Sequence, residues 1–313
     1  MSYQFKQQES LESGVRRIAA EQLSQAIREL KNAEQNPHQT IHEVRKHFKK
    51  LRGMIRLVCS GLGDDYARLN VWYRDAGRRL SRVRDAESML ESLQKLKERF
   101  SDPKYEYTEL FSELENRFLA RKQQLVEEWI DLDLELQSLS QQLEAALEAV
   151  EGWKIKGKAA KIIRDGLQQT YQRGADALAI LHQRPDDDLF HESRKRSKYH
   201  LYHMRLISAV WQPMLTARIA ELDLLNDYLG DDHDLTVMTQ LITSETESFG
   251  SAANVEQLLS LIREQRQSLQ TAAFQMADRI FAEKPKAFAR RMQAYWTLWR
   301  DERGGSSGTI DGE

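Results

Sequence analysis

The sequence predicts an all-α protein made of two similar helical halves, and three observations support this fold class. The 313 residues include only 15 Gly and 5 Pro, about half of the roughly 12% that average usage supplies, so few turns are expected. Apolar residues recur at intervals of three and four, and the alternation typical of strands is nowhere sustained. A sequence repeat at a fixed offset of 149 residues divides the chain into halves of about 9–150 and 152–302.

Ten helical segments follow from the apolar spacing. The prolines at 37, 103, 185, 213 and 285 each precede a segment with this spacing, which favours helix starts there. In chain order, the predicted helices are 10–34, 39–60, 64–99, 104–150 (with a break), 157–183, 187–212, 214–229, 232–248, 252–282 and 285–302. Residues 303–313 are rich in Gly and Ser, and they are predicted to form a flexible tail outside the domain.

The predicted helix at 39–60 has an apolar face and a basic face. The apolar stripe that should face the core consists of Ile41, Val44, Phe48, Leu51, Ile55 and Val58. The other side carries His42, Arg45, Lys46, Lys49, Arg52 and Arg56, with Lys50 flanking them. Only Glu43 opposes these charges, and like charges four residues apart repel each other. A solvated surface helix is the alternative, but this repulsion favours an anionic partner.

The basic motif occurs twice. His-Glu-Val-Arg-Lys-His-Phe-Lys at 42–49 and His-Glu-Ser-Arg-Lys-Arg-Ser-Lys at 191–198 match at five positions. The same offset pairs Arg56 with Arg205, and it pairs Leu80, Asp85 and Met89 with Leu229, Asp234 and Met238. Two such halves should pack about a pseudo-two-fold axis, which would bring their equivalent helices together.

The second copy of the motif differs from the first at its apolar positions. Ser193 and Ser197 replace Val44 and Phe48, and their small side chains should let a neighbouring helix approach closely. His200 and His203 have two interpretations: they are polar residues at a helix contact, or they are additional phosphate donors.

The net charge of −2 argues at face value against a polyanionic partner. The charges are segregated, however, because residues 123–152 contain no Lys or Arg and hold eight acidic residues. Basic residues crowd elsewhere, and five of them, Arg74, Arg78, Arg79, Arg82 and Arg84, fall in one predicted helix. Further candidates for a common basic surface are Lys161, Arg164, Arg173, Arg290 and Arg291.

The single cysteine, Cys59, excludes an internal disulfide framework and any multi-cysteine metal site. The first residues lack an apolar signal region, and no segment is apolar enough to span a membrane. We therefore expect a cytoplasmic protein with no membrane partner.

The two motifs resemble those of the CHAD family, the conserved-histidine α-helical domains. The resemblance rests on His42-x-x-Arg45-Lys46-x-x-Lys49 and its second copy, each followed by an Asp-containing block at Asp85 and Asp234, and it covers about residues 10 to 302. It implies one domain, 9–302, whose two repeats surround a basic groove or pore. It also implies binding of inorganic polyphosphate or another phosphate-rich anion, and association with polyphosphate granules.

The expected polyphosphate-binding residues combine the positions matched by the resemblance with the neighbouring basic side chains. Tyr202 is included as a hydroxyl donor, because Leu201 stands where the family has an arginine. The expected residues are His42, Arg45, Lys46, Lys49, Lys50, Arg52, Arg56, Arg78, Arg79, Arg82, Lys161, Arg164, Arg173, His191, Arg194, Lys195, Lys198, Tyr202, Arg205, Arg290 and Arg291. His42 and His191 should gain charge below about pH 6.5 and tighten binding in mild acid.

A protein that binds duplex nucleic acid through its backbone is the main alternative. The six tryptophans do not alternate with the basic clusters as stacking platforms for a single strand would. A phosphohydrolase is less favoured. The second histidine of the motif, His47, stands one residue too late for a zinc-protease pattern, and no phosphate-binding glycine loop or nucleophile motif occurs. We therefore expect no catalytic residues, metal or cofactor, and we expect Asp85 and Asp234 to orient arginines or cap helices.

Overall fold

The computed structural model describes residues 3–33, 37–100, 107–127 and 132–302, and these residues form an all-α fold with no strand. Two short 3-10 turns, Val150–Gly152 and Ser208–Trp211, connect helices within this part, and a third follows the tenth helix. The helices are α1 (Leu11–Lys31), α2 (Pro37–Leu57), α3 (Cys59–Leu62), α4 (Asp65–Arg79), α5 (Ser81–Arg99), α6 (Thr108–Glu127), α7 (Leu132–Ala149), α8 (Ala159–Gln183), α9 (Asp187–Leu206), α10 (Gln212–Ser244), α11 (Ala252–Ile280) and α12 (Pro285–Asp301).

Several helices begin where the sequence supplies a proline or a capping side chain. Pro37 and Pro285 are the first residues of α2 and α12, and Pro213 lies in the first turn of α10. Pro185 precedes Asp186, whose carboxylate accepts a hydrogen bond from the Leu189 backbone N–H at 2.9 Å and caps α9. The predicted helix starts at these four prolines are confirmed, whereas position 103 and the tail 303–313 lie outside the described residues.

Two predicted helix boundaries are wrong. The segment 64–99 is interrupted at Leu80, where the backbone leaves the helical region (φ −91°, ψ 12°) and the side chain is fully buried. The predicted helices 214–229 and 232–248 are one continuous helix, α10, which passes through Gly230. The polar residues that suggested a break are held inside the fold, since buried Asp232 accepts hydrogen bonds from Arg266 and Gln270.

In the part of the chain that the structure describes, the buried apolar side chains form two clusters. The larger one contains the predicted stripe of α2, and all six of those residues are at most 1% exposed, which confirms the predicted core face. The smaller cluster joins α5, α6 and α11 to the second half of α10. Because α10 contributes to both clusters, it links them into one fold.

The two equivalent basic helices, α2 and α9, cross in direct contact. A Cβ atom built on Gly53 would lie 2.8 Å from the Cβ atom of Tyr202, so only glycine permits this approach. His203 is buried at the same crossing, and its Nε2 donates a hydrogen bond to the Gly53 carbonyl at 3.1 Å. His200 is equally buried and its Nε2 accepts from Arg218 at 3.1 Å. Both histidines are therefore helix-contact residues.

Small residues also bring other helices close to this pair. Ser197 is buried, and its hydroxyl accepts a hydrogen bond from Asn226 of α10 at 3.0 Å, as expected for a small residue at a helix contact. Gly166 of α8 lies so close to α2 that an added Cβ would stand 1.9 Å from the Leu57 carbonyl oxygen. The main chains of α2 and α8 are thus in contact.

Acid should destabilise the fold through His203. Burial lowers its pKa from 6.5 to about 3, so the native state keeps the ring neutral while the unfolded chain binds a proton below pH 6.5. The contribution of the neutral His203 ring to the free energy of unfolding is therefore complete above pH 6.5, and it is lost as the pH falls towards 3. Urea unfolding should therefore give a free energy of unfolding that is about 2–3 kcal/mol lower at pH 4.5 than at pH 7 because of this residue.

The control is His203→Gln, whose amide retains a donor for the Gly53 carbonyl but does not titrate. Its free energy of unfolding should fall less between pH 7 and pH 4.5 than that of the parent, whatever its stability at pH 7. Equal losses in the two proteins would contradict the assignment of this acid sensitivity to His203.

No described helix combines the length and the apolar character that crossing a membrane requires.

Candidate functional site

A basic cavity of about 690 Å³ lies among α2, α4, α8 and α9. Fourteen described residues line it, of which nine are lysine or arginine and none carries a carboxylate. Such a concentration of one charge sign in a concave site attracts anions. The lining consists of Arg45, Phe48, Lys49, Arg52, Arg56, Tyr73, Arg74, Gly77, Arg78, Arg173, His191, Lys195, Arg196 and Tyr199.

The α2 wall of the basic cavity is held in place by contacts with α4. Arg45 donates a hydrogen bond from Nη1 to the carbonyl oxygen of Gly77, and Arg52 donates from Nε to Asn70 Oδ1 at 3.1 Å. Burial lowers the pKa of Arg52, and the nearby positive charge of Arg56 lowers it further. An arginine keeps its proton despite such a shift, so the wall stays charged.

Arg56 lies at the inner end of this wall and packs against an aromatic ring. Its guanidinium carbon is 4.3 Å from the centre of the Tyr199 ring of α9. Arg56 is only 8% exposed, and its Nε has no hydrogen-bond partner in the described part of the chain. A ring stabilises the cation without cancelling its charge, so Arg56 remains available to an anion.

The other walls contain ion pairs at their edges. Arg74 of α4 pairs with the adjacent Asp75 at 2.7 Å. On α9, Lys195 and Arg196 both pair with Glu192, the latter at 2.5 Å. These carboxylates do not line the basic cavity, so the pairs orient the cations while the lining itself stays basic.

His191 lies at the α9 edge of the basic cavity. Its ring centre is 4.5 Å from that of His233 on α10. Burial lowers the pKa of His191 below 6.5, and the positive charges of Arg194 and Lys195 lower it further. In the ligand-free protein, protonation of this ring thus requires more acid than the expected threshold of about pH 6.5. Near neutral pH it is a neutral hydrogen-bond donor.

Several expected residues lie outside the basic cavity and contact carboxylates. Lys46 pairs with Glu43 at 3.0 Å, and His42 Nε2 is 4.0 Å from the same carboxylate. The remaining pairs are Arg79 with Glu135, Lys161 and Arg164 with Asp165, and Arg291 with Glu283. Arg290 is exposed on α12, and the Arg82 side chain lies outside the described residues. Apart from Arg82, these positions do not line the basic cavity.

Four expected residues of α9 form a separate surface, which we call the Arg205 patch: Arg194, Lys198, Tyr202 and Arg205. Arg205 Nη2 contacts both carboxylate oxygens of Asp223 on α10, at 2.6 and 2.7 Å. Tyr202 is buried against α2, and burial raises the pKa of its hydroxyl. None of these four residues lines the basic cavity.

Lys50 lies beside the Arg205 patch, outside the basic cavity. Its backbone carbonyl accepts a hydrogen bond from the Tyr3 hydroxyl at 2.6 Å, and its Nζ is 5.9 Å from the centre of that ring. Burial lowers the pKa of Lys50, and the positive charge of Lys46 adds to this effect. The N-terminal segment thus covers one side of this lysine.

Some cavity residues were not among those expected from the sequence. Arg74 stands four residues before Arg78, and this spacing was the available signal that both face the same way. Arg196 has no basic equivalent in the first repeat, where His47 is buried against Gln22, so the repeat gave no signal for it. Tyr199 was likewise missed, because a helical wheel does not show which helices meet.

The family comparison agrees with the motifs in the sequence. The CHAD domain family model matches residues 9–243, which include both copies of the basic motif and every helix that lines the basic cavity. Helices α11 and α12 lie beyond the matched residues. No curated protein matches the chain. Among the described residues, no group of His, Cys, Asp or Glu side chains could hold a metal ion.

Proposed function

The chain belongs to the CHAD domain family, and from this premise we propose that it binds inorganic polyphosphate in the basic cavity without cleaving it. The observation that carries the proposal is the convergence of nine Lys and Arg side chains from four helices on one cavity. The proposal includes association with polyphosphate granules in the cytoplasm, which would follow from binding the polymer they contain.

The chemistry of the lining suits a chain of phosphates. Polyphosphate carries about one negative charge per phosphate and has no bases, so its receptor needs cations but no stacking surface. Seven of the nine cations are arginines, whose planar fork can hold two phosphate oxygens at once. The aromatic rings offer no platform for bases, because Tyr73 is buried and Tyr199 is covered by Arg56.

The shape of the site supports a flexible linear polymer over duplex nucleic acid. A duplex presents its phosphates on a convex surface, which reaches few of the cations inside a concave cavity. A single phosphate chain can enter and contact several walls. Duplex binding remains the second candidate, since the outer edge of α2 carries cations that a backbone would contact.

We include in the proposal that the two repeats are related by a pseudo-two-fold axis at the crossing of α2 and α9. Gly53 and Tyr202 differ by 149 positions, the repeat offset, and they contact each other. A residue that touches its own equivalent lies next to a two-fold axis. The segments that precede α1 and α8 make comparable contacts, since Phe5 N donates to Leu206 O and Lys156 N donates to Gly61 O.

A salt titration with two ligands tests the ligand class. Binding of long-chain polyphosphate and of duplex DNA with the same number of phosphates is measured at several salt concentrations. We expect polyphosphate to bind at least about tenfold more tightly throughout, with a logarithmic salt slope of about 6 in magnitude if all nine cations contact phosphate as in a single strand. Equal affinities for the two polymers at each salt concentration would refute the proposal.

The same samples test the absence of catalysis. Orthophosphate is measured over hours with and without added divalent metal, and none should be released. Metal-dependent release that persists in repurified protein would contradict the non-catalytic part of the proposal and leave the binding part standing.

A further inference from the structure

We infer that the protein binds polyphosphate only in the basic cavity, because Asp223 and Asp227 exclude the polymer from the equivalent surface formed by α9 and α10. This inference rests on the proposed function and adds to it the number of binding sites and the residues that set it. It concerns the Arg205 patch, which is the counterpart of the α2 wall of the basic cavity under the repeat offset.

The repeat offset shows what the two surfaces share. Arg194, Lys198 and Arg205 of α9 stand at the positions of Arg45, Lys49 and Arg56 of α2. From these cations alone, two equivalent binding surfaces would be expected. Only Arg52 lacks a basic counterpart on α9, where Leu201 takes its place.

The facing helices differ in charge. In the basic cavity, α4 contributes Arg74 and Arg78, one helical turn apart. The same offset places Asp223 and Asp227 at these positions on α10, also one turn apart. Two bases are thus replaced by two acids, a difference of four charges that adds to the loss of the Arg52 charge at Leu201. A phosphate chain at the second surface would meet carboxylates where the first surface offers guanidinium groups.

The contacts of the equivalent arginines show the effect. Arg205 is neutralised by Asp223, whose two oxygens lie 2.6 and 2.7 Å from its Nη2. Arg56, its counterpart, has an Nε without a hydrogen-bond partner among the described residues, and its guanidinium lies against the Tyr199 ring instead. The electrostatic influence of Asp223 and Asp227 also reaches Lys198, although burial is the dominant effect on the pKa of that lysine.

The N-terminal segment further restricts the second surface. The Tyr3 ring packs edge-on against Tyr202, with 6.0 Å between ring centres, and its hydroxyl bonds to the Lys50 carbonyl. The segment is fixed at Phe5, which is buried and donates its N–H to the Leu206 carbonyl at 2.8 Å. It therefore occupies space between α2 and α9 beside the Arg205 patch.

Calorimetric titration with tripolyphosphate, too short to span both surfaces, tests the inference on the full chain. The parent protein should bind one molecule per chain. Asp223→Arg with Asp227→Arg should raise the stoichiometry from one to two, with the new site within about tenfold of the first in affinity. One molecule per chain in a folded double variant, or two of similar affinity in the parent, would overturn the inference.

Two controls separate this inference from the proposed function. If the parent binds neither tripolyphosphate nor long-chain polyphosphate, the proposed function fails. If it binds two molecules of tripolyphosphate, only the inference fails.

The variant Arg74→Asp with Arg78→Asp gives the basic cavity the acidic residues found beside the Arg205 patch. It should reduce the affinity for tripolyphosphate roughly 100-fold or more. Should the arginine variant not fold, Asp223→Asn with Asp227→Asn should show a second, weaker site, and its absence would overturn the inference.

Discussion

Replacing Arg45 and Lys49 with glutamate should weaken polyphosphate binding by roughly 100-fold or more. Both side chains line the basic cavity, and they stand one helical turn apart on α2. Each charge-assisted hydrogen bond to phosphate contributes about 1.5–3 kcal/mol, so losing two removes about 3–6 kcal/mol before repulsion is counted. Fluorescence anisotropy with labelled polyphosphate measures the loss, and circular dichroism checks that helicity is unchanged.

The repeat supplies a matched control at the equivalent positions. Arg194→Glu with Lys198→Glu makes the same change of charge on α9, outside the basic cavity. We expect only about a threefold reduction in this variant, caused by the more negative overall field. If neither double variant binds more weakly than the parent, the assignment of the site to the basic cavity is wrong. Equal large losses would mean that the polymer also binds at the Arg205 patch.

Replacing Gly166 with alanine should destabilise the protein by at least about 3 kcal/mol. The new Cβ would stand 1.9 Å from the main-chain oxygen of Leu57, and a backbone atom cannot rotate away as a side chain can. Helices α2 and α8 would have to separate. Because Arg173 lies two turns beyond Gly166 on α8, polyphosphate binding should weaken as well. Urea unfolding gives the change in stability.

Gly77→Ala is the matched control for this substitution. Gly77 is also inside a helix, but a Cβ there would meet only Phe48 Cδ2 at 3.7 Å, an ordinary contact. Helix propensity should then make this variant more stable by about 0.5–1 kcal/mol. A Gly166→Ala protein as stable as Gly77→Ala would show that α2 and α8 are not packed this closely.

The sequence predicted the elements of the fold well where local signals act alone. The apolar stripe from Ile41 to Val58 is buried because its helical spacing places all of these side chains on the single apolar face of α2. The continuity of α10 could not be predicted, since it depends on Arg266 and Gln270, which satisfy Asp232 from 34 and 38 residues away. The interruption at Leu80 likewise depends on the core that receives this side chain.

The candidate site was likewise predictable only where a local sequence motif identifies its residues. The motif identified Arg45, Lys49, Arg52 and Arg56, which all line the basic cavity. It did not reveal that Lys195 and Arg196 face these residues while Arg194 and Lys198 do not. That distinction depends on the angle at which α2 and α9 cross, and no periodicity encodes a crossing angle.

The contact between Gly53 and Tyr202 has a consequence for the protein as it is synthesised. These residues are 149 positions apart, and ribosomes add about 5–20 residues per second. Helix α2 therefore leaves the ribosome roughly 8–30 s before the helix that completes its basic cavity. During that interval the nascent chain carries the cations of α2 without the opposite wall. The basic cavity is therefore complete only after α9 has been synthesised and has docked against α2.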